Sequence, residues 1–157
     1  MSMPAAVLSV SLVLLLSACA SAPPVPAAED TRASHASQTS LYEQLGGAPA
    51  ISALVDALVA EYKADPGISS RFDLPPAELG YLRERLIEQL CAATGGGCQY
   101  TGLPMSDAHS GMAISQSEFD AFMQATARAM TKVGVSNDHQ RTLASVLEGM
   151  RGEIVDQ

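Results

Sequence analysis

Apolar residues recur at the 3.6-residue period of an α-helix in four segments of the chain, and polar residues occupy the remaining positions of each segment. The first of these segments places its core-facing residues at Ile51, Leu54, Val55, Leu58, Val59 and Tyr62. All six lie on one stripe of a helix. The turn residues at 65–67 then predict the end of that helix.

The three other segments repeat the pattern. Their predicted buried faces are Leu79, Leu82, Leu86, Leu90 and Ala93; Phe119, Phe122, Met123, Thr126, Met130 and Val133; and Leu143, Val146, Leu147, Met150 and Ile154. Ser-x-x-Glu sequences beginning at Ser40 and Ser115 have the form of capping boxes and predict helix starts. No segment alternates with period two over a useful length, so we predict an all-α fold. Residues 98–114 lack periodicity, and we expect a functional loop there.

The N-terminal part of the chain has the pattern of an export signal. Its apolar run, Ala5 to Leu16, fits the core of a signal peptide and is too short to span a bilayer. Small residues before Cys19 resemble a bacterial lipobox. That resemblance implies a lipoprotein signal peptide over residues 1–18 and lipidation of Cys19. It also implies an anchor at the periplasmic face of the outer membrane, since Ala20 follows the cysteine.

Two features qualify and extend this interpretation. No Lys or Arg precedes the apolar run, which departs from the signal-peptide pattern. Two alternatives therefore stay open: an uncleaved apolar tail, and an ordinary signal peptide with a chance cysteine. Residues 19–39 are rich in Ala, Pro and Ser and predict a flexible linker. Residues 40–157 have the length of one domain.

Composition and the absence of certain motifs argue against several classes of protein. The formal net charge is −8, with only nine Lys and Arg residues, which argues against nucleic-acid binding. The 47% hydrophobic content argues against a disordered chain. Neither a zinc-spaced ligand cluster nor a Gly-x-Ser-x-Gly turn is present in the sequence, and the glycines at 95–97 follow a helix rather than a strand. We therefore do not expect a hydrolytic enzyme.

His109 is the main candidate for chemistry. It lies in the aperiodic segment among Met105, Met112 and Ile114. One histidine among apolar side chains, inside a helical shell, has the setting of an axial haem ligand. Judged by these residues alone, an ordinary hydrogen-bonded histidine is the more common case, and both interpretations stay open at this point.

Three motifs in order along the chain carry a family resemblance. They are Ser40-Leu41-Tyr42-Glu43-Gln44-Leu45-Gly46-Gly47; Gly95-Gly96 followed by Tyr100-Thr101-Gly102-x-Pro104-Met105; and His109-x-Gly111-x-x-Ile114. Together they resemble group I truncated haemoglobins from Ser40 to about Val155. The resemblance implies a truncated globin fold, a two-over-two helical sandwich around haem b.

The resemblance also implies a set of haem contacts. His109 matches the proximal iron ligand, and Arg85 matches a basic residue that reaches a haem propionate. The implied apolar contacts are Phe72 on the haem face, Leu82 and Leu86 on the distal side, and Tyr100, Met105 and Phe119 against the porphyrin. Leu82 and Leu86 are four residues apart, so both can face one side of a haem.

The distal side departs from the family pattern. Val59 falls where the family usually has a tyrosine, with Leu82 and Leu86 opposite. This predicts an apolar distal pocket, a five-coordinate or weakly aquated iron, fast oxygen release and easy oxidation. The expected function is binding of oxygen or nitric oxide, as in oxygen transport, and enzyme activity is expected to be no more than weak haem redox activity. The alternatives are a redox or peroxide-reactive haem protein and an apo helical interaction lipoprotein.

Cys91 and Cys98 remain as a pair if Cys19 is lipidated. A continuous helix would hold residues seven apart about 10 Å from each other, too far for a disulfide. The three glycines between them allow the chain to fold back. A disulfide and two separate thiols are both compatible with the sequence.

Overall fold

The computed structural model describes residues 39–157. These residues form α1 Leu41–Leu45, α2 Gly47–Ala64, a 3₁₀ turn at Ser69–Phe72, α3 Pro76–Ala93, α4 Met105–His109, α5 Gln116–Lys132, α6 Asn137–Glu148 and α7 Arg151–Ile154. The predicted signal peptide, the lipidation site Cys19 and the linker up to residue 38 lie outside this range. Extended pairing within it is limited to one parallel bridge, between Ile114 and Val155. The all-α prediction is confirmed.

Serine caps set the starts of three helices. Ser40 and Ser115 both form the predicted capping boxes, with Glu43 and Glu118 as the reciprocal partners. Ser136 accepts a hydrogen bond from the backbone N–H at position 139. Each cap satisfies amide donors that the first helical turn leaves without partners.

Helix α2 is the centre of the fold. It packs against α1, α3, α5 and the 3₁₀ turn. Its predicted stripe is buried at Ile51, Leu54, Val55, Leu58 and Tyr62. On α5, the small residues Ala125 and Ala129 are fully buried, which allows close packing of the two helices. None of the helices within residues 39–157 has the length and apolar character needed to cross a membrane.

Two helices differ from the sequence-based prediction. The aperiodic segment contains α4, which has only five residues and is too short for periodicity to reveal. The last predicted helix is broken into α6 and α7 near Gly149, a residue that weakens a helix interior by about 1 kcal/mol. Leu143 and Leu147 of the predicted face are buried, whereas Ile154 belongs to the second, shorter helix.

Cys91 and Cys98 form a disulfide in the structure, with their Cα atoms 5.7 Å apart. Gly95 and Gly97 have φ angles of +82° and +71°, which reverse the chain between the two cysteines. A Cβ on Gly96 would lie 2.6 Å from the Cys91 Sγ. The disulfide joins the end of α3 to the segment that leads to Tyr100.

Candidate functional site

The His109 imidazole is oriented by its own helix. Nδ1 lies 2.7 Å from the carbonyl oxygen of Met105, one helical turn earlier. Since a carbonyl only accepts, Nδ1 is the donor in this contact, and in the neutral imidazole Nε2 then carries the lone pair. No other hydrogen bond to the His109 ring occurs among residues 39–157. A half-buried imidazole with Nε2 available for coordination is the arrangement that metal-ligating histidines use.

Within residues 39–157, no three His, Cys, Asp or Glu side chains are grouped so that they could hold a metal ion. A single imidazole as the axial ligand is instead the usual arrangement for haem iron, because the porphyrin supplies the other nitrogens.

Helix α3 supplies a partly accessible apolar surface. Leu82 and Leu86 are half-buried, while Leu90 and Cys91 near the end of the helix are fully buried. Leu86 packs at the margin of the main core together with Val59 and Phe72. Helix α3 packs on α2, and α4 packs on α7, so different helices support the predicted distal residues and the predicted proximal ligand.

An aromatic row connects two of the predicted haem contacts. The ring centroids of Phe72 and Tyr62 are 4.7 Å apart, those of Tyr62 and Phe122 are 4.9 Å apart, and those of Phe122 and Phe119 are 5.6 Å apart. Phe72 is half-buried, but Phe119 is only 2% exposed. The structure thus places Phe72 and Phe119 at opposite ends of one packed row.

The hydroxyl of Tyr62 forms a hydrogen bond inside the core. It lies 2.9 Å from Thr126 Oγ1, which donates its own proton to the Phe122 carbonyl oxygen at 2.8 Å. The Tyr62 hydroxyl is therefore the donor to Thr126. Burial raises the pKa of Tyr62 far above its ordinary value, so the hydroxyl stays protonated. Its single proton is unavailable to a ligand.

Arg85 connects helix α3 to the loop that contains Tyr100. Its Nη1 donates to Thr101 Oγ1, and its Nη2 lies 2.8 Å from Glu88 Oε1. The Thr101 backbone N–H donates to Glu88 Oε2 at 2.9 Å, and this bond is the main cause of the lowered pKa of Glu88. Tyr100 is half-buried, and burial raises its pKa.

The Nε of Arg85 is a buried donor that has no hydrogen-bond partner within residues 39–157. Buried polar groups are nearly always paired, so this donor fits an anionic group such as a haem propionate. Together with the Nε2 of His109 and the half-buried Leu82 and Leu86, it gives a residue set that suits a flat apolar macrocycle with acidic substituents.

The structure joins some of the sequence-predicted site residues through direct contacts and leaves others apart. Met105 and His109 share a hydrogen bond, and Phe72 and Leu86 border the same core. Phe119 is covered on one side by the guanidinium of Arg151 at 4.3 Å, so its predicted contact with the porphyrin stays a prediction.

Sequence reasoning did not find two residues of this region. Glu88 has a sequence signal, because it lies three positions after Arg85 on one helix, a spacing that brings opposite charges together. Thr101 belongs to the motif at 100–105, but its contacts with Arg85 and Glu88 of α3 depend on the loop conformation, which the motif does not reveal.

Comparisons with known proteins identify the family. A family model described as "Bacterial-like globin" matches residues 40–156. The group 1 truncated hemoglobin of Tetrahymena thermophila is 30% identical over 114 residues, which cover 73% of this chain and 93% of the relative. The Nostoc commune protein "Group 1 truncated hemoglobin GlbN" is 29% identical over 119 residues, covering 76% and 99% of the two chains.

A solved structure has the same fold. The crystal structure of truncated hemoglobin from Tetrahymena pyriformis in its Fe(III) form is similar with a TM-score of 0.70 and 26% sequence identity. The similarity covers 75% of this chain and 99% of that chain. The predicted two-over-two helical architecture is confirmed.

Proposed function

The chain belongs to the bacterial-like globin family, and from this premise we propose that it binds haem b through His109 and takes a diatomic gas, oxygen or nitric oxide, at the iron. His109 would hold the haem iron, and the haem would supply the metal at which a small gas ligand binds. The protein supplies the axial nitrogen, the apolar surroundings and the counter-charge for the propionates.

One observation carries the proposal: the hydrogen bond between His109 Nδ1 and the Met105 carbonyl oxygen at 2.7 Å. It fixes the tautomer and directs Nε2 away from its own helix. Such a bond also raises the basicity of the ligating nitrogen.

The distal side is proposed to be apolar and the iron to be five-coordinate or weakly aquated. Val59, Leu82 and Leu86 offer no hydrogen-bond donor, and the hydroxyl of Tyr62 is used by Thr126. Without a donor, the oxygen ligand lacks roughly 1–3 kcal/mol of stabilisation. Rapid oxygen release and easy oxidation of the iron are the expected consequences.

The Tyr62→Phe variant tests this assignment of the distal side. We expect its oxygen dissociation rate to equal that of the wild type, because the hydroxyl donates to Thr126. The free energy of unfolding is expected to fall by about 1 kcal/mol, since the buried Thr126 oxygen loses a donor. Stopped-flow oxygen release and urea unfolding measure the two quantities. Markedly faster oxygen release in the variant would show that Tyr62 reaches the ligand.

The direct experiment for haem binding is a hemin titration of the purified protein with an absorbance spectrum at each step. A saturable Soret band at one haem per chain is the expected result. Spectra that remain the sum of free hemin and protein throughout, with no Soret band of bound haem, would overturn the proposal and leave the helical domain as an interaction module.

A redox or peroxide-reactive function is the second candidate, and the donor-free distal residues favour it. An iron that oxidises readily spends more time in the ferric state, which is the state that reacts with peroxide. Turnover of hydrogen peroxide with an electron donor would separate this activity from gas binding. Retention of oxygen through many binding cycles, without oxidation of the iron, would count against it.

The proposed location is the periplasmic face of the outer membrane, with a lipid on Cys19 as the anchor and residues 19–39 as the linker. The support is the lipobox-like sequence before Cys19 and the neighbouring Ala20. Multiple acyl chains hold a protein stably on a membrane, whereas one chain does not. Mass spectrometry of the mature N-terminal peptide would detect the lipid.

A further inference from the structure

Residues 155–157 pair with the loop that follows His109. The backbone N–H groups of Gly111 and Ala113 donate to the Gln157 carbonyl oxygen at 3.2 and 3.4 Å. The N–H of Asp156 donates to the Ile114 carbonyl oxygen at 3.0 Å. The first of these bonds lies two residues beyond His109. The segment therefore holds the chain immediately after the proposed iron ligand.

The same junction contains backbone strain. Ala113 and Asp156 have φ angles of +47° and +59°, and they are the non-glycine residues with positive φ within residues 39–157. Side chains rarely adopt this conformation, and it persists only where surrounding contacts enforce it. Both residues lie in the paired segments. The paired backbone segments therefore hold two residues in a conformation that costs free energy.

Arg151 connects α7, the helix that precedes residues 155–157, to α5. Its Nη2 lies 2.8 Å from Asp120 Oδ1, and its Nη1 donates to Gln116 Oε1 at 2.9 Å. Its guanidinium carbon lies 4.3 Å from the centroid of the Phe119 ring. All three partners belong to α5, and Glu148 at the end of α6 also pairs with the same guanidinium. One side chain thus fixes the start of α7 to α5.

Helix α7 transmits this anchoring to the histidine helix. It packs directly against α4, and Val155, which follows α7, is buried and bridged to Ile114. The path from Arg151 to His109 therefore runs through α7 on one side and through the paired loop on the other. Neither route involves the predicted distal residues of α3.

We propose that Arg151 is a positioning residue for His109, which it holds in place for axial coordination of the haem iron by fixing α7 and residues 155–157. The inference rests on the proposed function. Loss of the Arg151 contacts releases α7, lets the strained junction relax and loosens the position of the imidazole. The bond between Nε2 and the iron is then weaker, and the haem leaves more readily, while the distal apolar surface is unchanged.

The experiment compares Arg151→Ala with Arg141→Ala in the haem-loaded protein. Arg141 is the control because its side chain is 73% exposed and, among residues 39–157, its one ion pair is with Asp138 on its own helix. Resonance Raman spectra of the ferrous, gas-free protein report the iron–histidine stretching band, and transfer to an excess of apomyoglobin reports the haem loss rate. A shifted or broadened band and roughly tenfold faster haem loss are expected for Arg151→Ala alone.

Arg151→Lys adds a test of the side-chain geometry. Lysine keeps the charge but lacks the planar fork that contacts Asp120 and Gln116 together, so only partial recovery of the stretching band is expected. A second variant, lacking residues 156–157, removes the hydrogen bonds to Gly111, Ala113 and Ile114 but leaves Arg151 in place. This truncated variant replaces Arg151→Ala in the experiment if Arg151→Ala does not fold. It is expected to show the same change in the iron–histidine band and the same faster haem loss.

Hydrogen exchange in the haem-free protein makes the result independent of haem binding. Faster exchange at the amides of Gly111, Ala113 and Asp156 in Arg151→Ala is the expected outcome. A wild type that never binds hemin would overturn the proposed function, although this exchange would still test the junction. If haem-loaded Arg151→Ala kept the wild-type stretching band and haem loss rate, the proposed role of Arg151 would be wrong, but the proposed function would be unaffected.

Discussion

Replacement of His109 by alanine is expected to weaken haem binding by at least about 100-fold, equivalent to roughly 2.7 kcal/mol. The reason is that no other side chain described here has the same arrangement of a protonated Nδ1 and an unshared Nε2. Hemin titration followed in the Soret region gives the affinity, and loss of the iron–histidine stretching band identifies the missing bond. Added imidazole should restore the band, because it can occupy the space left by the side chain.

His139→Ala is the matched control for this experiment. His139 is also half-buried, but its Nε2 lies 3.0 Å from Gln44 Oε1, so that nitrogen already has a partner. The control variant is expected to bind haem with wild-type affinity. An His109→Ala protein that kept both its affinity and its iron–histidine band would assign the axial bond to another residue.

Introduction of a tyrosine at Val59 is expected to slow oxygen dissociation by about 5- to 150-fold. Val59 is half-buried at the margin of the core together with Phe72 and Leu86. A hydroxyl there would donate to the oxygen ligand and contribute roughly 1–3 kcal/mol, with each 1.4 kcal/mol changing the rate about tenfold. Stopped-flow release of oxygen into carbon monoxide measures the effect.

Val59→Phe separates the hydroxyl from the added ring. It fills the same volume without a donor, so any slowing that it shares with Val59→Tyr is steric. The expected result is slow release in Val59→Tyr and near-wild-type release in Val59→Phe. Equal rates in the two variants would show that position 59 does not face the ligand.

Local patterns were sufficient to predict most of the helical architecture. The stripe from Ile51 to Tyr62 lies on α2 and packs at the centre of the core, because its apolar residues repeat over several turns. The capping boxes at Ser40 and Ser115 form as expected, since their partners are only three residues away. In both cases the necessary interactions are encoded within one helix.

The candidate site was less accessible to prediction. Motif resemblance indicated His109 and Arg85, but helix α4 is too short to show a period, and the break between α6 and α7 was missed. Thr101 reaches α3 through a loop whose conformation has no sequence signal. The disulfide between Cys91 and Cys98 was one of two open alternatives until the fold brought their Cα atoms to 5.7 Å.

Sequence and tertiary structure determined different features because the interactions involved act over different separations along the chain. Helical period, capping and turn residues act over a few positions, so the chain alone dictated an all-α domain and a histidine in an aperiodic segment. Three features depend on contacts between residues up to 64 positions apart in the sequence. They are the hydrogen bond from the Tyr62 hydroxyl, the Nε of Arg85 that has no partner within residues 39–157, and the contacts of Arg151. Such contacts exist only once the helices have packed, and tertiary structure therefore decided which donors remain for a ligand.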